Sequence, residues 1–165
     1  MYNVAILFER QLIELDADQI ASLHEGVDEE ITYHLLLPVT ESQFAIRASM
    51  AALSDGVIAP DLEPDVLAEL ENTERLAGEE GLNSSLELFR ARNMNATSAL
   101  AEGDPIDELI DLVKQYDCNE AIILTEPHIV REFLHIDWAS RARRKINVPT
   151  LHLLENYTFG QQADI

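Results

Sequence analysis

Apolar residues at Ile106, Leu109, Ile110 and Val113 recur at i, i+3, i+4 and i+7, which gives a helix one apolar face. Its opposite face carries Asp107, Glu108, Asp111 and Lys114. Asp104 supplies a side-chain acceptor for the first turn, and Pro105 a pre-set φ, so the helix starts there. Ala121-Ile122-Ile123-Leu124 follows as an uninterrupted apolar run, the pattern of a strand covered on both sides by helices. A helix over about residues 127–145 then leads to a second buried strand at 148–154. From Gly103 to Leu154 the chain therefore reads as helix, strand, helix, strand.

The same alternation fills the first half. Residues 3–8 are apolar enough for a central strand, and Ile20, Ala21 and Leu23 mark a short helix over 16–24 that Gly26 ends. Residues 31–37 are rich in β formers and stop at Pro38. Over 39–64 the pattern weakens. Phe44, Ala45, Ala48, Ala51 and Ala52 are spaced to line a helix, but Ser54-Asp55-Gly56 and Pro60 break it into turns, so mobility is expected there. Val66, Leu67, Leu70 and Ala77 suggest a helix from Pro64 onward, and Leu82, Ser85, Leu86 and Phe89 continue the spacing past Gly81, compatible with one bent helix. Residues 94–101 alternate as a third strand before the Gly103 turn. Five short strands separated by helices predict an α/β domain over residues 1–155: a mostly parallel sheet in three layers, with helices on both faces. An inserted loop or helix at about 40–63 and a flexible tail over 156–165 complete the plan.

Composition narrows the class of partner. A chain of 165 residues suits one domain, and its 47% hydrophobic and 25% charged residues are those of an ordinary globular protein. Its formal net charge of -20 repels phosphate backbones and anionic lipid surfaces, so neither nucleic acid nor membrane is an expected partner. No apolar run approaches the roughly 20 residues that span a bilayer. The first residues read as a strand rather than a secretion leader, which predicts a cytoplasmic protein. The lone Cys118 has no partner in the chain for a disulfide, in keeping with a reducing compartment.

In an open α/β sheet, ligands bind at the carboxyl ends of the strands, which here singles out the loops 8–11, 38–40 and 125–128. The strand-helix alternation, Glu102-Gly103-Asp104-Pro105 before strand four, and Ala139-Ser140-Arg141-Ala142-Arg143-Arg144 leading into Val148-Pro149-Thr150-Leu151-His152 resemble the universal stress protein family over nearly the whole length. The chain is similar to a divergent, actinobacterial-type member. The resemblance implies an adenine-nucleotide alpha-hydrolase-like (Rossmann-like) fold with strand order 3-2-1-4-5. It also implies a homodimer built with the last strand, acting in the stress response.

ATP-binding members of that family carry Gly, two residues, Gly, nine residues, then Gly-Ser or Gly-Thr after strand four, where bare backbone closes around phosphates. The three glycine positions fall here at Thr125, His128 and Trp138, with Ala139 in place of the hydroxyl residue and Ser140 one position late. Glu126 adds a carboxylate where a triphosphate would sit, and Glu9 loosely matches the acidic residue near the end of strand one. The fold is thus expected to be retained and the ATP site lost. The protein is expected to be non-catalytic, with no cofactor, and to bind a protein partner or small ligand. An alternative is a switch that holds ATP or AMP in a rearranged pocket at Phe8, Glu9, Val39, Thr125, His128 and Ser140. An enzyme on this scaffold has no residue set in its favour.

Other constellations favour plain readings. His128, Glu132 and His135 share one helix face with metal-ligand chemistry, but no second ligand cluster joins them, and no metal is expected. Arg141, Arg143, Arg144 and Lys145 fit a helix C-terminus, where cations complement the dipole. Trp138, with Phe133, Leu134 and Ala142, reads as packing, and Cys118 has no base beside it to make it a nucleophile. Nucleophile-elbow, Walker and dinucleotide motifs are missing from the sequence.

Overall fold

A computed structural model describes residues 1–39, 64–125 and 136–162. In chain order the elements are β1 (Tyr2–Phe8), α1 (Glu14–Leu23), β2 (Ile31–Pro38), α2 (Pro64–Ala91), β3 (Asn95–Ala101), α3 (Pro105–Gln115), β4 (Glu120–Thr125), α4 (Ile136–Lys145), β5 (Thr150–Leu154) and α5 (Phe159–Gln162). The strands form one sheet in the order β3-β2-β1-β4-β5, and each neighbouring pair is parallel. This is the expected three-layer α/β sheet. The inserted segment at 40–63, and the part of the last long helix expected over 127–135, lie outside the described residues.

β1 is central because both of its faces are apolar. Val4 to Phe8 are all fully buried. Val4, Ile6 and Phe8 pack with Leu12, Ala17 and Ile20 of the α1 side and Leu82, Leu86 and Phe89 of α2. Ala5 and Leu7 point the other way, into Ile106, Leu109, Leu112 and Val113 of α3 and Ala142 and Ile146 of the α4 side. The period-2 alternation of one strand therefore divides the core in two. Each fully buried aliphatic or aromatic side chain contributes about 1.5–3 kcal/mol by its removal from water.

Local chemistry sets the ends of the helices. Asp104 accepts the N–H groups of Ile106 (3.0 Å) and Asp107 (3.1 Å), with Pro105 in the first turn, as the sequence indicates. α1 begins two residues before its expected start, because Asp16 acts from the third helical position, accepting the Ile13 N–H at 3.0 Å. The residues from Pro64 to Ala91 form one helix of 28 residues. Gly81 lies where α2 meets the loop that leaves β1, and a Cβ there would stand 3.4 Å from the Cβ of Gln11, an ordinary van der Waals contact. Buried Ser85 fixes that loop: its hydroxyl accepts the Leu12 N–H (3.0 Å) and donates to the Gly81 carbonyl (2.8 Å).

Candidate functional site

Parallel pairing brings the carboxyl ends of the strands to one edge. Phe8 lies beside Leu124 and Thr125 beside Leu154, so the exits of β1, β4 and β5 are adjacent. Of the residues singled out from the sequence, Phe8 is a fully buried core side chain. Glu9, just past β1, is 8% exposed. Thr125 closes β4 at 1% exposure, with its hydroxyl 2.8 Å from Nε2 of His152 on β5. Val39 is half-buried beyond β2, and its N–H donates to the Ala101 carbonyl at 2.9 Å. Ser140 lies in α4. His128 and Glu126 fall outside the described residues, as do Glu132, His135, Phe133 and Leu134. Among the described residues, no group of three His, Cys, Asp or Glu side chains is placed to hold a metal ion.

The decisive residues at this edge were not singled out by sequence. Glu155 follows β5 directly, as the last residue of the expected domain, and is 2% exposed. One of its oxygens accepts the Glu9 N–H at 3.0 Å, and the other lies 3.3 Å from Nε of Arg10. Its own N–H donates to the Thr125 carbonyl at 2.9 Å. Asp16 of α1, also 2% exposed, accepts the Asn156 N–H at 2.8 Å, and the Gln19 amide donates to the Tyr157 carbonyl. The chain is therefore held through Tyr157. No local pattern carries this signal, because the partners are more than a hundred residues apart.

Three buried carboxyl groups, Glu9, Asp16 and Glu155, gather in the described part of this edge. Burial pushes the Glu155 carboxyl up to about 7, with the Glu9 and Asp16 charges adding to it and the Glu9 N–H and Arg10 opposing. His152 is held below its usual value by burial and by the Arg143 charge, against the pull of Glu9.

The basic stretch on α4 is turned toward α3. Arg141 grips the Asp104 carboxylate through both guanidinium nitrogens (3.0 Å each), and Lys145 reaches Asp107 at 2.8 Å. Burial tends to raise the Asp104 pKa, but Arg141 and the two capping N–H groups outweigh it and hold the carboxyl below its usual range. An open groove of about 370 Å³ lies between these helices, lined by Asp107, Ile110, Asp111, Lys114 and Lys145. Cys118 is buried, and burial with the Asp117 charge pushes its thiol up to about 11, which leaves it without thiolate character. Among the described residues, no helix is long and apolar enough to cross a membrane.

No family model matches the sequence, and no curated protein does. Solved structures do match. A universal stress protein from Archaeoglobus fulgidus superposes with a TM-score of 0.57 at 10% identity, over 92% of this chain and 93% of that one. The complex of the Archaeoglobus fulgidus universal stress protein with dAMP gives 0.56 at 10% identity over 92% and 97%. A universal stress protein family protein from Arabidopsis thaliana with AMP bound gives 0.56 at 9% identity over 94% and 93%. The chain thus has the universal stress protein fold, as its motifs lead one to expect.

Proposed function

We propose that this chain acts as a universal-stress-protein-like protein of the cytoplasm that works without catalysis, by binding a protein partner or small ligand, and that it lacks the usual ATP site. The observation that carries this reading is the filled carboxyl edge. Where a glycine cradle would begin stands Thr125, buried and bonded to His152, and buried Glu9 and Glu155 wall the exit of β1. The buried carboxyl groups there oppose a polyphosphate by like charge.

A second reading, an ATP or AMP switch with a rearranged pocket at Phe8, Glu9, Val39, Thr125, His128 and Ser140, draws support from the dAMP and AMP bound to proteins of this fold. Thermal unfolding with millimolar ATP or AMP separates the two. A ligand present at about 100 times its Kd stabilises the folded state by about 2.7 kcal/mol, a shift of several degrees. The expected result is no shift, and a clear rise in Tm would replace the first reading by the second. The plan of one domain with an insertion at about 40–63 belongs to this proposal, as does a homodimer through β5, which is an edge strand with Leu151 exposed.

A further inference from the structure

The chain leaving β5 is bound at four points to three other parts of the fold. The Glu155 N–H is tied to β4 through the Thr125 carbonyl (2.9 Å), and the Glu155 carboxylate to the exit of β1 through the Glu9 N–H (3.0 Å) and Arg10 (3.3 Å). Asn156, at φ 63, turns the backbone in the left-handed region that asparagine tolerates. That turn carries its N–H onto Asp16 (2.8 Å) and brings the Tyr157 carbonyl to the Gln19 amide. Side chains make most of these bonds, so the segment is attached by a few replaceable contacts rather than by a strand ladder.

Charge makes the attachment conditional. From β1, Glu9 and Arg10 face the Glu155 carboxyl, and from α1, Asp16 does. His152 of β5 stands on Thr125 nearby, within the fields of Glu9 and of Arg143 from α4. Among the described residues, the buried Glu155 carboxyl thus stands near two further buried carboxyl groups and a half-exposed arginine, and its burial and those two neighbours disfavour its ionised form. A proton on Glu155 relieves this, and the protonated group still offers a carbonyl oxygen to the Glu9 N–H.

We propose that Glu155–Tyr157 is a proton-controlled latch over the exit of β1, closed when Glu155 is protonated and loosened when it is ionised. The direction follows from burial: the closed form keeps the Glu155 proton up to about pH 7, whereas a free carboxyl loses it near 4.5. Closure is therefore fully favoured below about pH 4.5 and weakens as pH rises through 7. Loosening frees the Glu9 N–H and the Thr125 carbonyl at the ligand-facing edge of the sheet. The latch is a property of the free chain and stands whether or not that edge takes a nucleotide.

Amide hydrogen exchange by NMR on the ligand-free protein tests it. After correction for intrinsic exchange, protection of the Glu9, Glu155 and Asn156 amides should fall roughly tenfold between pH 6 and 8, while that of Ile6 inside β1 holds. Glu155→Gln, which keeps an acceptor for Glu9, should leave those amides protected with a flat profile. Glu155→Ala should expose them at every pH. A flat wild-type profile, or a Glu155→Gln protein that titrates like the wild type, overturns the latch even if the alanine variant does not fold.

Discussion

His24 has an acceptor at each ring nitrogen. Nδ1 lies 2.9 Å from the Ile20 carbonyl, with the Tyr33 hydroxyl at 3.1 Å, and Nε2 meets the Glu120 carboxylate. Burial lowers the affinity of this ring for a second proton, but Glu120 and the Ile20 carbonyl reverse the effect and raise its pKa above 6.5. A raised folded value means that the contribution is complete below 6.5 and is lost as pH climbs through the folded value. Denaturant midpoints of the wild type should therefore fall above about pH 6.5, and His24→Gln should lack that part of the slope. Parallel profiles for the two proteins would remove His24 from the account. Neither His24 nor Glu155 stands out in sequence, since each acquires its proton affinity from residues brought in by other elements, whereas the capping role of Asp104 is visible in its neighbours Pro105 and Asp107.

At the scale of elements, α3 and α4 are joined through one carboxylate with two roles. Asp104 caps α3 and pairs with Arg141 of α4. Losing the cap costs about 1 kcal/mol, and the half-exposed ion pair adds roughly 0.2–1 kcal/mol. Asp104→Ala should lower stability by about 1–2 kcal/mol in urea unfolding, and Asp104→Asn by less, because the amide oxygen still accepts the N–H groups of Ile106 and Asp107. Equal losses in the two variants would show that the cap contributes nothing. The helices and strands themselves were largely legible, because hydrophobic period and capping residues act within a few positions of chain. The single length of α2 was legible too, since the spacing continues past Gly81 as one helix would require, and the structure shows 28 continuous helical residues.

For the whole molecule, the net charge of -20 acts on association as well as on the fold. Two such chains meeting along β5 repel one another, and at about 0.15 M salt this repulsion is screened beyond roughly 8 Å. Light scattering should find a homodimer whose dissociation constant rises as salt is lowered. A monomer at every salt concentration would withdraw the dimer.

What the sequence determined by itself was the layered α/β sheet, the start of α3 at Asp104-Pro105 and the identity of the residues on the loops after each strand, because these follow from local spacing and from side-chain chemistry at known positions. What only the tertiary structure decided was the state of the carboxyl edge. There Glu155, at the end of the expected domain, becomes a buried carboxyl against Glu9, Arg10 and Asp16, because solvent exclusion and charge proximity arise only when β1, β5 and α1 are packed together.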